Sequence, residues 1–236
     1  MKIAGLQKMT LLDYPGKVAC TVFLPGCNYR CPFCHNSGLL EGAPEALISQ
    51  EELLRFLKKR VGLLDGVCVT GGEPTLQNDL PQLLEAIKAL GYGIKLDTNG
   101  SNPAMLEDLM GRGLVDYVAM DVKNAPGRYG ETVGLSSLAL EKTERSLKLL
   151  LGGSVDYELR TTCVEELHDE ANIEAMGAWL ESLVPGVKPR RLFLQSFVDR
   201  DSVLLPGLHA PSREKLEKMR KVLEPHGHSV ALRGVD

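Results

Sequence analysis

The sequence predicts an α/β protein, a partial (β/α)6 barrel with a short N-terminal β extension. Three observations predict it. Short β-branched, apolar runs alternate with segments of helical periodicity, which is the pattern of parallel βαβ units. About six such units follow one another, fewer than the eight that close a complete barrel. The residues with chemical potential fall directly after the strand-like runs, where α/β folds collect their chemistry.

The elements follow in order. Residues before Thr21 read as the β extension, with a turn at Asp13-Tyr14-Pro15-Gly16. Residues 18–24 form an apolar strand that ends at a cysteine-rich loop. Residues 49–60 have helical periodicity (Leu53, Leu54, Leu57), with Ser49 as N-cap and Glu52 completing a capping box. Strands are predicted at 66–70, 92–97, 115–122, 155–164, 191–197 and 229–233. Helices are predicted at 80–90, 103–112, 137–151, 172–183 and 212–223. Pro103 suits the first turn of its helix.

The chain has 236 residues, a length suited to one domain with a real core. We divide it into an extension (1–17), a barrel core (18–200) and a C-terminal helix and strand (201–236). There is no repeat, low-complexity tract or long linker. The net charge is −4 and no basic stripe occurs, which argues against nucleic acid. No apolar run approaches membrane length and the N-terminus has no signal core, so a cytoplasmic protein without a membrane partner is expected. The six cysteines do not read as a disulfide framework in a chain of this kind.

Three of those cysteines carry the functional reading. Cys27, Cys31 and Cys34 follow the spacing C-x3-C-x2-C on one loop rich in Pro, Gly, Asn and Arg. A structural zinc site or an electron-transfer 4Fe-4S cluster takes four protein ligands. Three leave a metal with an open position. A zinc site of Cys27, Cys31, Cys34 and His35 is the rival reading. Cys20, Cys68 and Cys163 stand singly in apolar runs and read as small buried hydrophobes.

Other polar groups follow the later strands. Thr70-Gly71-Gly72-Glu73-Pro74 lets backbone approach a ligand closely and sets a carboxylate beside it; on its own it is an ordinary glycine turn. Asp97-Thr98-Asn99-Gly100 and Asp121-Val122-Lys123 end the next two strands. They read as a polar cluster at the barrel mouth, or as caps and turns. Glu158, Arg160 and Thr162 share one face of their strand, and an inward Glu–Arg pair is one reading of it. Gln195 and Phe197 end the last of the six core strands, as donor and as core or pocket wall.

The cysteine spacing resembles the cluster loop of the radical S-adenosylmethionine (radical SAM) superfamily, and Gly71–Pro74 resembles its motif for the SAM amino group. Within that superfamily the chain is similar to glycyl-radical-enzyme activating enzymes. Its nearest likeness is the anaerobic ribonucleoside-triphosphate reductase activating protein family, carried by 5–8, 13–17, 27–36, 71–74, 97–100, 121–123 and 160–162. The Cys34-His35-Asn36 and 96–100 runs are also similar to the pyruvate formate-lyase activating enzyme.

The resemblance implies one 4Fe-4S cluster on Cys27, Cys31 and Cys34, with SAM on the fourth iron. It implies reductive cleavage of SAM to methionine and a 5′-deoxyadenosyl radical, which takes an α-hydrogen from a glycine of a partner glycyl radical enzyme. A low-potential donor such as flavodoxin or ferredoxin supplies the electron. Phe33 is expected near the adenine, and Gly72 and Glu73 at the SAM amino group. Asp97, Thr98, Lys123 and Arg160 are expected around the ribose, carboxylate and sulfonium. No side chain is needed as general acid or base. Asp97, Thr98, Asp121 and the Val122 carbonyl are also expected to hold Na+ or K+, since two nearby carboxylates need a proton or cation between them. His35 lines the site or satisfies local backbone. No cysteine lies in residues 37–50, so no second cluster is expected. A radical SAM enzyme acting on a small molecule, such as a deazapurine-pathway synthase, is the alternative enzyme. A zinc-binding interaction protein is the alternative of a different class.

Overall fold

The structure, a computed structural model, describes residues 1–40 and 48–235. Part of the cysteine-free 37–50 stretch therefore lies outside the described residues. Ten strands are described: β1 (Lys2–Ile3), β2 (Gly5–Thr10), β3 (Ala19–Leu24), β4 (Ile48–Ser49), β5 (Gly66–Gly71), β6 (Gly93–Thr98), β7 (Tyr117–Asp121), β8 (Asp156–Cys163), β9 (Leu192–Ser196) and β10 (Val230–Arg233). The helices are α1 (Gln50–Lys58), α2 (Leu80–Lys88), α3 (Pro103–Gly111), α4 (Pro126–Thr132), α5 (Leu140–Gly152), α6 (Glu170–Leu183) and α7 (Arg213–Leu223).

Among the described residues the main sheet has the strand order β2-β3-β5-β6-β7-β8-β9-β10. Pairing is parallel for β3–β5, β5–β6, β8–β9 and β9–β10, and antiparallel for β2–β3. The expected α/β class with a mostly parallel sheet is the one observed. Six strand–helix steps run from β3 to α7, with α4 and α5 sharing the step after β7. Strands β3 and β5 are buried along nearly their whole length. A parallel strand covered on both faces has no solvent side, which is why these segments read as unbroken apolar runs.

The chain divides into two compact units, one of Met1–Asn28, Gly38–Thr98 and Ala104–Ala119, the other of Tyr29–Ser37, Asn99–Pro103 and Met120–Asp236. In the first, the β extension is real, and β1 adds a short antiparallel pair with β4. Its turn packs the Tyr14 ring over β5: a Cβ at Gly66 would lie 2.9 Å from that ring. The capping box of α1 forms, Ser49 Oγ accepting from the Glu52 amide at 3.2 Å and Glu52 Oε2 from the Ser49 amide at 2.8 Å. In the second unit, α4 was not predicted. Its sequence Pro-Gly-Arg-Tyr-Gly-Glu-Thr has two glycines and no apolar period, so packing rather than propensity makes it helical.

Candidate active site

In the first unit the Cys27 loop is held by backbone. β3 ends at Leu24 and β5 at Gly71. The Gly72 amide donates to the Leu24 carbonyl at 2.9 Å and the Glu73 amide to the Gly26 carbonyl at 2.8 Å. The chains are so close that a Cβ at Gly72 would stand 2.0 Å from the Gly26 oxygen. Gly71 has φ +125°, and a Cβ there would stand 2.2 Å from the Leu24 oxygen. The two glycines are thus needed to bring the loops together. Gln77 Nε2 adds a bond to the Pro25 carbonyl at 2.8 Å.

Glu73 is fully buried. Its Oε1 accepts from the Thr75 amide (3.1 Å), the Thr75 hydroxyl (2.5 Å) and the Thr98 hydroxyl (2.7 Å). Three donors on one oxygen fix the carboxylate in place. Asp97 lies one residue before Thr98 at the end of β6. Its Oδ1 pairs closely with Nζ of Lys95. Lys95 is 2% exposed, and its Nζ also lies 3.8 Å from Cys68 Sγ.

In the second unit, Cys31 is buried and Cys34 half-buried, with the Cys34 amide donating to the Cys31 carbonyl at 3.0 Å. The loop is strapped to the segment after β9 at three points. Leu205 N–H donates to Pro32 O (2.8 Å), Ser37 Oγ to Ser202 O (2.6 Å) and His35 Nε2 to Val198 O (2.6 Å). His35 also stacks on Phe197, centroids 5.5 Å apart. Its backbone partner is thus not local: Val198 lies 163 residues further along the chain. Gln195 is on β9, in register with Thr162 of β8 and Arg233 of β10.

Phe33 is buried, with the His168 ring edge-on at 6.5 Å and Lys123 Nζ 5.9 Å from its centroid. Lys123 bonds Asp121 Oδ2 at 2.9 Å, and Arg160 Nε bonds Asp121 Oδ1 at 3.0 Å. Burial pushes the Asp121 carboxyl up, but Arg160 and then Lys123 outweigh it and hold it down at about 2. Burial works against the Lys123 charge, and Asp121 more than restores it, so its pKa is raised. Of the two readings of the Glu158–Arg160 face, the outward solvated one does not hold for Glu158, which is buried. It forks onto Arg233 of β10 at 2.8 and 2.9 Å, and Arg160, two residues on, reaches Asp121. Partners this far apart in sequence leave no local pattern.

Three supporting residues escaped the sequence reading. His168 is 1% exposed. Its Nδ1 accepts from the Val164 amide at 3.1 Å, so Nε2 carries the proton and donates to the Lys123 carbonyl at 2.8 Å. Burial lowers its pKa, so the ring is neutral. Gly134 (φ +69°) lies under the cysteine loop, where a Cβ would stand 2.2 Å from the Arg30 oxygen. Lys95 had one signal: a lysine between Ile94 and Leu96, two residues before an aspartate.

The donor set fits a three-thiolate cluster. All six cysteines are free, and the loop cysteines alone share one segment. The Tyr129 hydroxyl is buried with no acceptor for its proton among the described residues, and the Cys31 thiol contributes to the field around it. A buried donor without an acceptor suits a thiolate or cluster sulfur. Among the described residues no three His, Cys, Asp or Glu side chains converge as one metal ion requires; a four-iron cluster spreads its thiolates over separate irons. Among the same residues no helix is long and apolar enough to cross a membrane.

Comparison with known proteins agrees with this chemistry. The family described as "Radical SAM superfamily" matches residues 21–177. A Methanocaldococcus jannaschii protein named "Putative glycyl-radical enzyme activating enzyme" is 30% identical, over 99% of this chain and 96% of its own. A "Probable GTP 3',8-cyclase" of Thermococcus kodakarensis is 28% identical over 82% of this chain, a match covering 63% of that protein. A solved domain of a pyruvate-formate lyase-activating enzyme from Bacteroides vulgatus shares the fold, with TM-score 0.56 and 19% identity over 72% of this chain and 99% of that one.

Proposed function

The chain belongs to the radical SAM superfamily, and from that premise we propose that it activates a glycyl radical enzyme. The observation that carries this is the near full-length match to a protein named for that activity. When bound, the 4Fe-4S cluster and SAM supply a one-electron cleavage that removes one hydrogen atom from the substrate.

The chain's own residues do the rest. Cys27, Cys31 and Cys34 hold three irons. Backbone at Gly72 and the fixed carboxylate of Glu73 receive the SAM ammonium. Asp97, Thr98, Lys123 and Arg160 are the candidates for the ribose, carboxylate and sulfonium surroundings, and Phe33 is the candidate for the adenine. The substrate is an α-hydrogen of glycine on a partner, with anaerobic ribonucleoside-triphosphate reductase as first candidate. Flavodoxin or ferredoxin delivers the electron. Glycine suits the product because its α-radical flattens and delocalises into both flanking amides.

The test is electron paramagnetic resonance after anaerobic incubation with SAM, reductant and the candidate partner. A glycyl doublet on the partner, with one 5′-deoxyadenosine formed per radical, is expected. Deoxyadenosine without a partner radical, for every candidate tried, would count against activation. It would favour the second reading, a small-molecule radical SAM enzyme, which the cyclase match supports.

A further inference from the structure

The expectation of an alkali cation rested on the repulsion of two strand-end carboxylates near the SAM carboxylate. Each of the two has a cationic side chain against it. In the second unit Asp121 is matched by Lys123 and Arg160, two cations on one anion. In the first unit Asp97 is matched by Lys95.

Lys95 is the less ordinary of these. Strand alternation sets Lys95 and Asp97 on one face of β6, and parallel register sets Cys68 of β5 beside Lys95. The ammonium is 2% exposed, in contact with Asp97 Oδ1 and 3.8 Å from the Cys68 sulfur. Asp97 Oδ1 lies 3.8 Å from the same sulfur. Isolating an ammonium from water costs several kcal/mol unless an anion compensates it. The pair therefore holds together, and a metal cation added at Asp97 would meet a resident positive charge. Na+ or K+ does not fit that position.

We propose that the Lys95 ammonium is the built-in counter-ion of Asp97, in the role expected of an alkali cation, so that SAM binding by this protein needs neither Na+ nor K+. Lys95 acts here as a positioning residue: it holds the Asp97 carboxylate in one orientation. The inference rests on the reading that Asp97 borders SAM.

The experiment measures SAM affinity of the cluster-loaded protein, from the change SAM makes in the reduced-cluster resonance spectrum. It is run in NaCl, KCl and tetramethylammonium chloride at one ionic strength, so that screening is constant. Wild-type affinity should be the same in all three salts. Lys95→Met, which keeps the apolar stem, should bind SAM about tenfold more weakly in tetramethylammonium, as an anion left without its partner predicts, and recover in Na+ or K+. The double variant Lys95→Met/Asp97→Asn removes both charges and should show no such recovery. Its thermal melting in each salt checks that folding is intact. A wild type that loses affinity without alkali ions overturns the proposal even if Lys95→Met fails to fold. So does a folded Lys95→Met that binds SAM normally in tetramethylammonium. Failure to form a partner radical would overturn activation instead, because this readout stops at SAM binding.

Discussion

The chain carries two sets of three cysteines, and they differ in what surrounds the sulfur. Cys20, Cys68 and Cys163 lie inside strands and are 0% exposed. Burial pushes the Cys20 and Cys163 thiols up to about 12, which keeps them protonated and inert at neutral pH. Cys27, Cys31 and Cys34 lie on backbone that runs between strands, pinned by glycines and carbonyl hydrogen bonds. One residue type thus serves as a small hydrophobe in the sheet and, under the proposed function, as a metal ligand beyond its end.

The largest break in that contrast is Cys31→Ala. It should abolish cluster uptake, read from the loss of brown colour in anaerobically reconstituted protein, and reduce SAM cleavage to background. Full 5′-deoxyadenosine production by that variant would sink the ligand assignment.

Gly72→Ala comes next. All three thiols remain, but a Cβ 2.0 Å from the Gly26 oxygen must push the Cys27 loop away. We expect a loss of about 1–3 kcal/mol in stability, typical of overpacking, and little SAM cleavage. Wild-type turnover would mean that the glycine contact does not position the loop.

Gly134→Ala tests the same idea under Cys31. Its φ of +69° and a contact of 2.2 Å to Arg30 O predict about 1–3 kcal/mol of destabilisation. It should be visible in chemical denaturation, with a smaller fall in cluster content than for Cys31→Ala.

The smallest effect belongs to the buried set. Cys163→Ala should keep the cluster and SAM cleavage, and cost about 1 kcal/mol. Its pH signature is specific. A thiol that stays protonated when folded but ionises when unfolded contributes stability below about pH 9, lost as pH rises towards about 12. The alkaline fall in melting temperature should therefore be shallower in Cys163→Ala. An unchanged slope would remove Cys163 as its source.

The fold was legible because strand burial leaves unbroken apolar runs and helix faces leave a period. The α4 helix left neither. The candidate site could be proposed where chemistry requires a local spacing, as with Cys27, Cys31 and Cys34 or Gly71 to Glu73. It was illegible where partners are far apart in sequence. Glu158 pairs with Arg233, and His168 supports the Lys123 carbonyl from 45 residues away. Lys95 was hidden differently: a buried lysine in a strand resembles a surface position until its neighbours are known.

The strap on the second-unit cysteine loop has a consequence for metallation. Pro32, Ser37 and His35 are tied to Leu205, Ser202 and Val198 by backbone-directed hydrogen bonds that involve no thiol. Ordering a free loop costs roughly 1–2 kcal/mol of conformational entropy per residue. Here folding has already met that cost for the segment between Cys31 and Cys34. Under the proposed ligand set, iron would meet a preorganised half-site, and its binding free energy would go into bonds to sulfur and not into shaping the chain.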